Sequence, residues 1–116
     1  NERNLDREKF KNFWIKRCDH ATASFPLERW NTYENKVLPN IKDPCENLWD
    51  RMYVWFDGKV NPCDPDYKSY LSYGNAKEYN LEELWNNKAI SKTREQHTKK
   101  DRNKINPCDR CGVTFL

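Results

Sequence analysis

Long hydrophobic runs are missing from this chain. Apolar residues make up 36% of its 116 positions and charged residues 34%, and no stretch approaches the roughly 20 apolar residues of a membrane helix. The apolar core of a secretion leader is missing too. The opening residues, Asn1 to Glu8, read as the start of a helix, and the expectation is a piece of a longer protein. No internal repeat and no low-complexity run is present. Charge of one sign is lacking as well: 21 Lys and Arg face 18 Asp and Glu, a balance too even to argue for a nucleic-acid partner. His20 and His97 are the only histidines; neither has a partner pattern, and a structural or solvated role is expected for each, ahead of zinc ligation by His97.

What is present is concentrated in a few residue types. Aromatic residues are 14% of the chain, with five Trp, so the available apolar area sits in a few large side chains. The length is that of one domain, or of a small domain with a fragment attached. A domain this polar gains from a staple, and a metal site is one kind. The five cysteines are an odd number. With no secretion signal in view, metal ligands in a reducing, cytoplasmic interior are the stronger reading, and a disulfide framework the weaker.

Hydrophobic spacing predicts an amphipathic helix over residues 4–17, with Leu5, Phe10, Phe13 and Trp14 on one face and Asn4 as its cap. Cys18 falls near that face and reads as a packed thiol. A weak strand is expected at 19–25, then a connector over 26–44 that carries three prolines. Residues 51–62 give the clearest β signal. Met52, Val54 and Phe56 alternate with Tyr53 and Trp55, and Asp57-Gly58 suits a two-residue type I′ turn before Lys59-Val60-Asn61. The aromatic residues of 49–55 are expected as hairpin core and cover for a metal site rather than as a base-stacking platform. Residues 64–74 read as loop, with Asp64 and Asp66 as turn formers. Asn80 and Glu83 have capping-box spacing before a helix whose face is Leu81, Leu84 and Trp85. A further helix is expected from Ile90 to about Lys100, and loop from Asn103 to the end. The basic run Lys92, Arg94, Lys99, Lys100, Arg102, Lys104 is interrupted by Glu95 and Asp101 and lacks aromatics, which predicts a solvated face rather than a phosphate-binding one.

Cys45, Cys63, Cys108 and Cys111 form one spaced set. A hairpin folds back on itself, so Cys45 and Cys63, which flank it, can come to one end of the sheet. Cys108 and Cys111 form a tight Cys-x-x-Cys turn able to bind one centre. On chemistry alone, four thiolates suit tetrahedral zinc and a cubane cluster equally. Zinc ribbons usually carry two such turns, and one is present here.

These residues resemble a known family. Cys45, twelve residues, Gly58, four residues and Cys63 match the Cys-x(9–15)-Gly-x4-Cys opening of SPASM/twitch domains, the C-terminal extensions of radical S-adenosylmethionine enzymes. The stretch Phe56 to Cys63, then Gly74-Asn75, Asn80 to Asn86 and the closing Pro107-Cys108-Asp109-Arg110-Cys111 are similar to the family's motifs in the same order. Phe10 to Trp14 followed by Cys18-Asp19 resembles the last helix and strand of the partial (β/α) barrel that precedes such extensions.

The resemblance implies an α+β fold: a small β-hairpin and short helices around one four-Cys site, over residues 39–116. Residues 1–38 would be the tail of the barrel and a connector. Cys45, Cys63, Cys108 and Cys111 would hold one auxiliary [4Fe–4S] cluster. The intermediate cysteine run that accompanies a second cluster is absent, and so is the Cys-x3-Cys-x2-Cys motif of the S-adenosylmethionine site. No catalytic residue is therefore assigned, and the chain alone is not expected to cleave S-adenosylmethionine. The cluster is expected to transfer electrons and support the domain. The partner would be an upstream barrel, and the substrate a peptide, protein or small metabolite; neither nucleic acid nor membrane is expected. The alternative is a zinc-binding interaction module without a redox role.

Overall fold

Gly58 sets the hairpin formed by residues 53–61. The computed structural model of the chain describes residues 2–23 and 31–112. Strand β1 (Tyr53–Val54) pairs antiparallel with β2 (Val60–Asn61), with Tyr53 opposite Asn61 and Val54 opposite Val60. Between them the Gly58 N–H donates to the Trp55 carbonyl (2.9 Å) and the Trp55 N–H to the Lys59 carbonyl (2.9 Å). Gly58 has φ +89°, whereas Asp57 keeps a negative φ. The turn is thus a three-residue loop, Phe56-Asp57-Gly58, with glycine in the left-handed position. The expected two-residue type I′ turn needs positive φ at Asp57 as well, and the chain does not adopt it.

A third segment completes the small sheet. Val60 donates to the Gly74 carbonyl (2.9 Å) and accepts from the Tyr73 N–H (3.0 Å), and the Ala76 N–H reaches the Gly58 carbonyl (2.8 Å). A bridge pairs Lys59 with Asn75. Val60 is therefore enclosed on both edges and fully buried. It joins Leu48, Tyr73, Leu84 and Ile90 in the core cluster, with Met52 and Ala76 packed alongside.

Short helices supply the rest of that cluster. Helix α2 (Asn47–Asp50), which the sequence reading missed, contributes Leu48. Helix α3 (Leu81–Trp85) starts at the expected capping box: Asn80 Oδ1 accepts from the Glu83 N–H at 2.8 Å, and Glu83 Oε2 accepts from the Asn80 N–H at 3.2 Å. Leu84 points inward, but Leu81 is exposed, so the expected three-residue face reduces to Leu84 and half-buried Trp85. Helix α4 (Lys88–Thr98) begins two residues before the expected Ile90 because Asn87 caps it, accepting from the N–H groups of Ala89 and Ile90. Its C-terminal end falls at Thr98 instead of Lys100, which takes φ +63°.

Other sequence expectations meet corrections. Helix α1 (Glu2–Trp14) stops before residue 17, and Asn4 lies inside it instead of capping it. Phe10, Phe13 and Trp14 are about half exposed, so the expected apolar face is not buried by described residues; the Leu5 side chain lies outside them. Residues 20–23 carry no regular structure, so the expected strand is not formed there, and its last two positions lie outside the described residues. The connector contains a 3₁₀ turn at Thr32–Glu34, and the C-terminal loop contains two, Arg102–Lys104 and Cys108–Arg110. The architecture is α+β, with two paired strands and short helices. Among the described residues no helix is long and apolar enough to cross a membrane.

Gly74 tests this packing. Its φ is +142°, and a Cβ there would collide with Leu84 Cδ2. Gly74→Ala is expected to destabilise the domain by about 2 kcal/mol, read from urea melts followed by circular dichroism. The cost should shrink in a Leu84→Ala background; strict additivity would remove the Leu84 contact as its cause.

Candidate metal centre

Each cysteine of the spaced set is fixed by a polar anchor, because each lies at the edge of an element or in a turn. Cys45 precedes α2, and its carbonyl accepts from the Leu48 N–H (3.2 Å). Its own N–H donates to Nδ1 of His97 on α4 (3.1 Å). Arg94, also on α4, donates through Nε to the Leu48 carbonyl (2.8 Å) and through Nη1 to the Trp85 carbonyl (2.7 Å), so α2, α3 and α4 share one guanidinium. Cys63 follows β2 and opens a loop built around Asp66. That buried carboxylate accepts from the N–H groups of Tyr70 (2.9 Å) and Leu71 (2.8 Å) and from the Tyr33 hydroxyl. Asn61 Nδ2 donates to the Asp66 carbonyl (3.0 Å) and to Ser69 Oγ (3.0 Å). The expectation that Asp66 shapes the loop therefore holds.

Cys108 and Cys111 sit in a 3₁₀ turn closed by the Cys111 N–H on the Cys108 carbonyl (3.4 Å). The turn is held against residues 35–43. Leu38 N–H donates to the Asp109 carbonyl (2.7 Å), Asn35 Nδ2 to the Arg110 carbonyl (3.3 Å) and Asn103 Nδ2 to the Pro39 carbonyl (2.9 Å). Arg102 spans the junction, donating to the carbonyls of Asp43 and Cys111, each at 3.2 Å.

These anchors bring the four thiols into one electrostatic neighbourhood. Cys63 feels the charge of Cys45 and Cys111, Cys108 that of Cys45, Cys63 and Cys111, and Cys45 that of Cys111. Burial is the main cause of the shift at three of them: it raises the thiols of Cys45 and Cys108 and pushes Cys63 up to about 12. The Asn47 N–H stabilises the Cys45 thiolate against this, the Asp66 N–H that of Cys63, and Arg102 favours the thiolates of Cys45 and Cys108. All five cysteines are free thiols. Among the described residues, no three Cys, His, Asp or Glu side chains converge closely enough to hold a metal ion. The four thiols are neighbours, not a closed coordination sphere.

Cys18 stands apart. It is exposed, and its thiol donates to the carbonyls of Trp14 (3.1 Å) and His20 (3.2 Å), so the expected packed thiol is not found. The helix ends at Trp14, which leaves Cys18 in a turn instead of on a helical face. His97 is structural, as expected: it is fully buried, and desolvation lowers its pKa to about 4. The basic run divides. Lys92, Lys99, Lys100 and Lys104 are solvated as expected, whereas Arg94 is half-buried and Arg102 buried, both spent on backbone carbonyls. Of the aromatic residues expected to cover the site, Trp49 is exposed, and Tyr53 and Trp55 are half-buried.

The contrast in exposure has a measurable outcome. In the native chain at neutral pH, iodoacetamide is expected to label Cys18 at least about tenfold faster than Cys63 or Cys108. Peptide mapping by mass spectrometry reads this directly; equal rates would contradict the burial described above.

No curated protein and no solved structure matches the chain significantly. A family model does: that of the SPASM iron–sulfur cluster-binding domain, which matches residues 45–112, more than half of the chain. That span begins at Cys45, contains the hairpin and the core cluster, and ends just past Cys111. The chain belongs to the SPASM family of iron–sulfur cluster-binding domains.

Proposed function

We propose that Cys45, Cys63, Cys108 and Cys111 are the ligands of one auxiliary [4Fe–4S] cluster, and that the domain serves a radical S-adenosylmethionine enzyme. The observation that carries this reading is that the residues matched by the SPASM model span all four of these cysteines. The donor set fits the group chemically: four free thiols, one buried and three half-buried, with backbone N–H groups and a guanidinium beside them. When bound, such a cluster supplies a one-electron donor and acceptor. Four protein thiolates leave no iron open to a substrate atom, which favours electron transfer and anchoring over substrate ligation.

The residues of the chain perform the remaining tasks. Asp66 and Asn61 hold the loop after Cys63, His97 holds the backbone of Cys45, and Arg102 ties Cys111 to residue 43. Ligation would fasten the C-terminal turn to the hairpin and so add a staple to a small core. S-adenosylmethionine cleavage belongs to an upstream barrel, because the chain has no Cys-x3-Cys-x2-Cys run. The substrate class is a peptide, protein or small metabolite acted on by that barrel, in a reducing cytoplasm.

Anaerobic reconstitution with iron and sulfide tests the ligand set. The unsubstituted chain is expected to take up about four irons with matching sulfide. Cys63→Ser and Cys108→Ser should each lose most of that iron, and Cys18→Ser should keep it. Stoichiometric zinc that iron does not replace would favour a structural zinc module instead. Unchanged iron in Cys108→Ser would remove that residue from the ligand set.

A further inference from the structure

The two buried cationic or potentially cationic groups beside the thiols are incompletely satisfied. Arg102 is 5% exposed, and among the described residues it pairs with no carboxylate. Its Nη1 and Nη2 donate to the carbonyls of Asp43 and Cys111, but its Nε is buried without a partner. His97 is 0% exposed. Its Nδ1 accepts from the Cys45 N–H, so in the neutral ring the proton sits on Nε2, which is also buried without a partner. Arg102 lies within electrostatic reach of His97, Cys45 and Cys108.

A buried guanidinium without an anion is costly, and a buried N–H without an acceptor costs its full desolvation. Both costs fall when an anion lies beside these groups. Four thiolates around an oxidised cubane carry a net charge of about −2, and reduction adds about one more negative charge. We propose that Arg102 is the counter-charge of the cluster and raises its reduction potential. This rests on the four cysteines being the cluster ligands. A fixed positive charge stabilises the more negative, reduced state more than the oxidised state, so it makes reduction easier. Arg102 acts as a positioning residue too, through its hold on the Cys111 carbonyl, and the two roles separate by substitution.

The experiment is an anaerobic potentiometric titration of the reconstituted chain, Arg102→Gln and Arg102→Lys, each first assayed for iron and sulfide. Arg102→Gln is expected to load and to show a lower midpoint potential, by a tenfold or greater loss in the reduced-to-oxidised ratio, about 59 mV for one electron. Arg102→Lys should stay near the unsubstituted value. Loading of Arg102→Lys alone, with the original potential, also supports the charge role. An unchanged potential in loaded Arg102→Gln overturns it, as does an equal fall in both variants. Failure of both variants to load assigns Arg102 to backbone clamping and overturns the proposal as well. An unsubstituted chain that takes up no cluster overturns the ligand assignment itself, a result distinct from a loaded cluster indifferent to Arg102.

Discussion

Side chains that reach across to loop carbonyls join the two ends of the cysteine-bearing domain. Arg102 bridges the carbonyls of Asp43 and Cys111, Asn103 meets Pro39, and Asn35 meets Arg110. Without them, residues 35–43 and 102–111 would have few partners, since neither segment forms a strand or a long helix. Buried backbone groups require hydrogen bonds. With two paired strands among the described residues, asparagine, aspartate and arginine take over the work that a sheet does elsewhere. The same logic recurs at Asp66, where one carboxylate organises the loop after Cys63, and at His97, which receives the Cys45 N–H.

The apolar core and the thiol neighbourhood are adjacent but built differently. Leu48, Val60, Tyr73, Leu84 and Ile90 pack where β2, the Tyr73–Ala76 segment and the helices meet. The cysteines lie in the flanking segments, reached through polar anchors. Burial there disfavours the thiolates, and the nearest compensation comes from backbone N–H groups and Arg102. The environment is therefore one in which thiolates are poorly stabilised by the protein alone, and in which a positively charged metal centre would remove the penalty.

The sequence made some of this legible. The capping box at Asn80 and Glu83 depends on nearest neighbours, so spacing was enough to find it. Gly58 marked the hairpin for the same reason, but the number of loop residues depends on register, which a single glycine does not report. The spaced cysteines and the ordered motifs identified the family. What spacing could not show was long-range: which of six basic residues turn inward. Arg94 and Arg102 read like their lysine neighbours along the chain, and only the position of distant carbonyls distinguishes them. A planar fork that can satisfy two carbonyls at once gives Arg an advantage over Lys at such junctions, and that is the one hint the sequence carried. Cys18 was misread because the helix before it ends a turn early.

The clamping of residues 35–43 by residues 102–111 also orders events in time. The contacts join positions separated by 59 to 75 residues, so little of this neighbourhood can be secured by local structure. During synthesis the hairpin and α3 can form while the last two cysteines are still unmade. Cys108 and Cys111 join the rest of the domain only when the 3₁₀ turn at Cys108 arrives, and the chain entropy of that closure has to be met in one late step. Any centre that used all four thiols could therefore assemble only once the chain is complete through Cys111.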